Sequence, residues 1–405
     1  MTRLLYISEG DIPSRFAHAT QAMNMAGALS NAVDELTLLT ASSLQSSAPA
    51  DEISSWYGVE PCFRIVHLPV SWSQLPFSKK EQRQQSVLNR RPSNAWKTRF
   101  VLAASSYARF KRPDLVFTRC CRVARRTTSL GLPTVVEYHG SGVDAARQLK
   151  RAPLREELLS VVTVSEFIRA DFESYNIPTN KIIVEPGGVD LAPFVTAMPR
   201  DTARQQLGLP RDRPIVVYCG HFYETKGVQY LADVARYLPD VCFCLVGGWP
   251  EDIVRLQCTT CDLTNLLFPG FVSHNQVPLF LAAADLLVLP NSGRTQHAHR
   301  TCPLKLFEYA AARRPIVASR IPGIDCLVEH GQQAWLTEPD SSEGLRAGIE
   351  RVLNDTALAD HLAREAHCWV QQFGWDHRAK RILKRVGVLP KRAHDLHTLA
   401  TRQVA

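Results

Sequence analysis

The chain has 405 residues, 45% of them apolar and 21% charged, an ordinary globular make-up that is longer than one hydrophobic core usually organises. Its formal charge of +8 and pI near 9.0 favour an anionic partner: a phosphorylated small molecule, an acidic membrane surface or nucleic acid. The most apolar window, Val277 to Pro290, is too short to span a membrane and holds Asp285, so any membrane contact is expected to be peripheral.

The segment Met1 to Ser8 runs straight into a strand with no apolar core or small-residue cleavage site, so the reading is of a cytoplasmic chain. Short apolar runs then alternate with helical-period segments. Strands are predicted at Leu4–Ser8, Glu35–Leu39, Arg64–Leu68, Asp114–Thr118, Thr134–Tyr138, Val161–Val164 and Lys181–Val184. The first helix should present Ala22, Met23, Ala26 and Leu29 on one face. Within this half lies a basic stretch: Lys79, Lys80, Arg83, Arg90, Arg91, Lys97, Arg99, Arg109, Lys111 and Arg112, interleaved with Trp96, Phe100, Val101, Leu102, Tyr107 and Phe110. Such a stretch either rests on anionic lipid or packs its apolar side on the sheet and solvates the rest. The proline- and glycine-rich run from Pro186 to Phe194 reads as a domain crossing, with the boundary near residue 194.

A second alternating series follows. Strands are predicted at Ile215–Cys219, Val241–Val246, Leu266–Pro269, Leu286–Leu289 and Pro315–Ser319. Helices are expected from Gly227, around Val277–Ala284 and opening at Pro303. The fold class is therefore α/β, two doubly wound domains over 1–194 and 195–374, with a helix and tail over 375–405. Two such domains facing each other would form a cleft, and ligands of these sheets bind beyond the carboxyl ends of the strands.

Two segments at such ends carry chemistry. In Cys219 to Gly227, Gly220 allows a phosphate close to the backbone and Lys226 stands at a helix start that favours anions. In Thr301 to Ala311, Pro303 suits the first turn of a helix whose first amides, at Leu304 and Lys305, can face an anion, with Glu308 one turn on. The plainer readings are a turn with a surface charge, and an i,i+3 surface pair. The 11 cysteines are scattered, and several fall inside strands, which suits reduced buried thiols; a sharper alternative makes Cys242, Cys244, Cys258 and Cys261 a zinc site.

In order and spacing, these segments resemble the retaining glycosyltransferases of family 4, whose architecture is GT-B, two Rossmann-like domains across a cleft. The matching pieces are Gly220 with Lys226-Gly227, Val246-Gly247-Gly248, Pro269-Gly270-Phe271-Val272, Ala284 to Pro290, and Pro303-x-Lys305-x-x-Glu308-Tyr309 with Pro315 to Ser319 behind it. The first half adds Glu137-Tyr138-His139-Gly140, Val164-Ser165-Glu166 and Gly188-Val189-Asp190.

The resemblance implies a nucleoside diphosphate sugar as co-substrate and a saccharide or lipid-linked acceptor, in glycan or cell-surface polysaccharide synthesis. Lys226 and the Leu304–Lys305 amides would hold the diphosphate, Glu308 the ribose, and the backbone at Phe271 and Val272 the base. His139 would lie near the transferred sugar. Ser14, Arg15 and His18 would line the acceptor side, and the helix after Trp375 would return to the first domain. No metal or other cofactor is expected. Two positions depart from the family: His221 stands where arginine commonly follows the first glycine, and Arg300 stands where the glutamate eight positions before Glu308 is expected. These departures keep open a non-catalytic nucleotide-sugar binder, beside an epimerase or phosphorylase of the same architecture. A nucleic-acid role would rest on charge alone.

Overall fold

Runs such as Leu4-Leu5-Tyr6-Ile7 and Ile215-Val216-Val217-Tyr218 are apolar at successive positions, which suits a parallel sheet covered on both faces rather than one with a wet side. In the computed structural model they lie in two such sheets. The structure describes residues 1–14, 16–42, 50–60, 62–71, 94–140, 142–149, 152, 155–196, 198–295 and 297–388.

The first sheet holds β1 (Arg3–Asp11), β2 (Glu35–Ser42), β3 (Arg64–Ser71), β4 (Leu115–Thr118), β5 (Thr134–Tyr138), β6 (Leu158–Thr163) and β7 (Ile182–Val184). They are ordered β3-β2-β1-β4-β5-β6-β7, all parallel. The second holds β8 (Ile215–Gly220), β9 (Cys242–Gly247), β10 (Leu266–Gly270), β11 (Leu286–Leu289), β12 (Ile316–Ser319) and β13 (Trp335–Thr337), ordered β10-β9-β8-β11-β12-β13, again all parallel. Every strand expected from the sequence is present, and β13, only three residues long, is additional. Strand order reverses between β1 and β4 and between β8 and β11, so the loops leaving those strands diverge and open a crevice at each switch point.

Alternation along β8 shows how the second sheet is covered. Ile215, Val217 and Cys219 enter one core with Cys242, Cys244 and Phe307, whereas Val216 and Tyr218 enter the opposite core with Phe243 and Leu231. Cys242 and Cys244 are thus core side chains, while Cys258 and Cys261 are exposed. The four do not form the zinc site weighed above, and no metal-binding group of three or more His, Cys, Asp or Glu occurs among the described residues.

The chain divides into two compact units, one of Met1–Glu185 with the chain from Trp375 onward, the other of Pro186–Gly374. The division falls earlier than the expected boundary near 194 because the connecting run is fastened to the second unit. The Gly187 N–H donates to Cys302 Sγ at 3.2 Å and the Val189 N–H to the Phe373 carbonyl at 3.1 Å. The helix Trp375–Arg385 belongs to the first unit, where Arg378, Ala379, Ile382 and Leu383 are buried.

Of the basic stretch, Lys79, Lys80, Arg83, Arg90 and Arg91 lie outside the described residues, as does Arg15. The helix Asn94–Lys111 packs Phe100, Ala104 and Ala108 into the core under β1 and β4, and leaves Leu102 and Phe110 exposed beside Arg99, Arg109 and Lys111. Among the described residues no helix is long and apolar enough to cross a membrane.

One contact sets the crevice of the second unit. The Ser292 N–H, after β11, donates to the Thr225 carbonyl, after β8, at 3.1 Å. Next to it Gly227 adopts φ +69°, and a Cβ there would sit 1.8 Å from the Pro290 carbonyl oxygen. Only glycine lets the two loops lie this close. We expect Gly227→Ala to destabilise the protein by roughly 1–3 kcal/mol in denaturant titration; an unchanged midpoint would mean that the loops part without cost.

Candidate functional site

The crevice at the β8–β11 switch point gathers the residues singled out after these strands. Backbone crowding shapes its floor: Gly247, at φ +107°, would bring a Cβ within 2.2 Å of the Gly220 carbonyl, which accepts from the Gly248 N–H at 3.0 Å. β11 pairs with β8 only at Val216 and Val217, so the β8 amides beyond need another partner. The hydroxyl of buried Tyr309 accepts from the Cys219 N–H at 2.7 Å and so ties the helix Leu304–Ala311 to the end of β8.

Lys226 follows from this framework. It ends the short turn Glu224–Lys226 and is fixed by Gly227 behind it. Burial pulls its ammonium below the ordinary lysine value, and no carboxylate among the described residues offsets that cost. Lys226 is half-buried, and a partly desolvated ammonium with no counter-charge favours an anion. On the other flank, Pro303 precedes the helix Leu304–Ala311 rather than occupying its first turn. It provides no side-chain cap, so the helix N-terminus keeps amides and a partial positive charge to offer.

Lys305 and Glu308 form a closer unit than the plain surface-pair reading supposes. Lys305 Nζ donates to Glu308 Oε2 at 2.6 Å, and the two side chains are only 25% and 11% exposed. Burial opposes the Lys305 charge, but Glu308 more than offsets it and holds the ammonium above its usual range. Lys305 is therefore already neutralised, whereas no carboxylate partner is seen for Lys226 among the described residues.

His274, which sequence reading missed, stands in the turn His274–Gln276 after β10; burial lowers its pKa, and it feels Glu308, Lys305 and Asp190. Phe271 and Val272 lie between β10 and that turn, with Phe271 37% exposed. His221 stacks on Tyr223 (centroids 4.9 Å apart, 11° between planes) and on Trp249 (5.7 Å, 18°), an aromatic cluster in place of the arginine common in the family. Arg300 closes the short helix His297–Arg300.

In the first unit the β1–β4 switch point has its own polar centre. Glu137 is the one charged residue of β5, and it is fully buried. Its Oε1 accepts from His139 Nε2 at 2.6 Å, Arg378 Nη2 at 2.8 Å and Gln21 Nε2 at 3.0 Å. Burial opposes the charge, yet Arg378, then His139 and Arg119, hold the carboxyl well below its usual range. Desolvation and then Arg119 push His139 down to about 4, with Glu137 opposing. The ring is therefore neutral at neutral pH. A lone carboxylate in an apolar strand was the available signal for this cluster; Gln21 and Arg378, remote in sequence, gave none.

The residues expected on the acceptor side are held differently. Ser14 is pinned through its backbone, its N–H donating to Tyr57 Oη at 2.6 Å and its carbonyl accepting from the same hydroxyl at 2.7 Å. His18 is turned inward: its ring lies where a Gly10 Cβ would be 2.2 Å from Nε2, and burial lowers it to about 4. Asp11, at the tip of β1, has Oδ1 buried without a partner, and burial raises its carboxyl to about 7.

Comparison with known proteins matches this layout. The Glycosyltransferase Family 4 profile matches residues 19–193 and the Glycosyl transferases group 1 profile residues 199–369, so the two account for most of the chain. The chain belongs with the GT-B glycosyltransferases. The GT-B chain is 29% identical to the alpha-D-kanosaminyltransferase of Streptomyces kanamyceticus over 173 residues, 41% of this chain and 43% of that protein. It is also 29% identical over 188 residues to the UDP-Gal:alpha-D-GlcNAc-diphosphoundecaprenol alpha-1,3-galactosyltransferase of Escherichia coli, 44% of this chain and 46% of that protein. The chain spans about half the length of the curated relatives it matches. Among solved structures, Anabaena HepE in complex with UDP-glucose superposes with a TM-score of 0.71 at 17% identity, covering 96% of this chain and 100% of that one. WaaG, a glycosyltransferase involved in lipopolysaccharide biosynthesis, gives 0.66 at 16% identity, covering 95% and 99%. At such identities these likenesses establish the fold.

The uncompensated charge makes a signed prediction. We expect Lys226→Met to leave the ligand-free protein as stable as the parent or more so, by up to roughly 1 kcal/mol, because it removes a desolvated ammonium. The same variant should lose the thermal stabilisation that the parent gains from pyrophosphate or uridine diphosphate. Destabilisation of the ligand-free protein with retained anion response would refute the assignment.

Proposed function

We propose that the protein is a retaining, metal-independent glycosyltransferase that moves a glycosyl group from a nucleoside diphosphate sugar to a hydroxyl of a saccharide acceptor, lipid-linked where that acceptor is membrane-borne. The observation that carries this reading is Lys226, a half-buried ammonium without a carboxylate partner among the described residues, together with the uncapped helix Leu304–Ala311, the one following β8 and the other β11 at a sheet switch point. A diphosphate supplies the counter-charge, and the helix amides supply donors to its oxygens.

In this reading Glu308, one oxygen held by Lys305, accepts from the ribose hydroxyls through the other. The backbone at Phe271 and Val272 meets the base, and Gly220 lets the phosphates approach. His221 contributes its aromatic stack rather than a fixed charge, so diphosphate binding leans on Lys226. His139 accepts from or donates to a hydroxyl of the transferred sugar. The bond from the anomeric carbon to the diphosphate oxygen breaks while a bond to the acceptor oxygen forms on the same face. The acceptor proton passes to the departing diphosphate, and the products are a glycoside and a nucleoside diphosphate. Lys226 and the helix amides stabilise the charge that develops on the leaving group.

The relatives narrow the search. The Escherichia coli relative is named for a UDP-galactose donor and a lipid diphosphate acceptor, and HepE binds UDP-glucose. A uridine donor and synthesis of a cell-surface polysaccharide are therefore the first choice for this chain. The exposed Leu102 and Phe110 beside Arg99, Arg109 and Lys111 support an acceptor carried on an anionic membrane, on its cytoplasmic face.

The test is a panel of uridine, guanosine and adenosine diphosphate sugars, read by calorimetry and by nucleotide release with free and lipid-linked acceptors. We expect one donor class to bind and turn over, and Glu308→Ala to weaken its binding by about tenfold or more through loss of the ribose contact. Tight binding with no release toward any acceptor would favour the non-catalytic binder that Arg300 suggests. Conversion of the donor without an acceptor would indicate the epimerase. Failure of every donor to bind would refute the site.

A further inference from the structure

The buried cluster around Glu137 is more specific than the binding role of His139 requires. Arg378 is fully buried, and it reaches Glu137 from a helix more than 200 positions later in the chain. Its Nη2 donates both to Glu137 Oε1 at 2.8 Å and to the Glu185 carbonyl at 3.2 Å, and its guanidinium lies 5.8 Å from the centre of the Trp375 ring. On the next turn Arg381 Nη2 donates to Glu185 Oε2 at 2.8 Å, so the helix is anchored twice.

Hydrogen-bond arithmetic at Glu137 then decides the state of the histidine. A carboxylate only accepts, so the 2.6 Å contact obliges His139 Nε2 to carry the proton. Gln21 Nε2 lies 3.0 Å from the same oxygen and 2.9 Å from the ring nitrogen, so its amide and the ring N–H converge on one acceptor. Were Glu137 protonated instead, its O–H could donate to Nε2 and move the ring proton to Nδ1. The two states present opposite hydrogen-bonding character to a ligand, and the ring is 21% exposed, so one edge is open to receive one.

We propose that Arg378 is a positioning residue for His139: by holding Glu137 as a carboxylate it fixes the ring proton on Nε2 and leaves Nδ1 as the acceptor offered to a substrate hydroxyl. The substrate half of this claim rests on the glycosyltransferase reading above; the tautomer half does not. A helix joined to the first unit only after the whole second unit has been made thereby completes the first unit's site. The charged groups acting on the ring are Glu137, Arg119 and Arg378.

The test uses the full chain labelled at its histidine nitrogens, with the His139 signals assigned by their loss in His139→Asn. In the parent we expect a ring protonated at Nε2 alone at neutral pH. In Arg378→Met the Glu137–His139 pair loses a neighbouring cation, so it should take up its proton at a pH about one unit higher or more. Arg378→Lys, which keeps the charge but not the planar fork, should fall between. If Arg378→Met does not fold, Glu137→Gln carries the test: its carboxamide can present oxygen or nitrogen, and both tautomers should appear. With a donor in hand, the acid limb of the kcat profile should move in Arg378→Met as the nitrogen signals do. A ring that stays Nε2-protonated, titrating as in the parent, in folded Arg378→Met or in Glu137→Gln, would overturn the proposal. Signals that shift as expected while the kinetic profile does not would uphold the positioning role and refute the substrate contact.

Discussion

Partly desolvating an ammonium without a carboxylate beside it costs free energy, and the second unit holds Lys226 half-buried in that state. Gly227 brings its loop onto the Pro290 carbonyl, Ser292 fastens the same loop, and Tyr309 brings the uncapped helix to the end of β8. Each contact places backbone donors and one cation around a space, and none supplies a negative charge. Lys305, in the first turn of the helix, is not equivalent because Glu308 already neutralises it. The distinction between a paired and an unpaired lysine is the basis on which we propose a diphosphate for this crevice.

The first unit resolves a buried charge the opposite way. Glu137 is fully enclosed, but Arg378, His139 and Gln21 all donate to it and Arg119 adds to the favourable field. Three donors meet on Oε1 before any ligand arrives, while Oε2 is buried with no hydrogen-bond partner among the described residues, so the cluster serves orientation rather than capture. In the two proposals made above, a cation without a carboxylate recruits a charged donor, and a carboxylate held ionised by Arg378 fixes the proton on a neighbouring ring.

Much of this was legible in the residues because parallel sheets declare themselves. Continuous apolar runs such as Ile215–Tyr218 and Leu286–Leu289 need two covered faces, and glycine with lysine after such a run suits a special turn. Lys226, Leu304, Lys305 and Glu308 were singled out for that reason. β13 was missed because three residues carry too little periodicity, and the division of the units was displaced because the Pro186–Phe194 run packs through backbone contacts that no side-chain pattern announces. Arg378 read as one more basic residue in a polar helix; its importance comes from where a long-range contact places it. His18 looked like a loop residue, yet the absence of a side chain at Gly10 lets its ring turn inward.

The most direct test of the central claim is a structure determined with uridine diphosphate bound. The account predicts a phosphate within hydrogen-bonding reach of Lys226 Nζ and of the Leu304 and Lys305 amides, with Glu308 on the ribose hydroxyls. A nucleotide seated elsewhere, with Lys226 still lacking an anion, would contradict it.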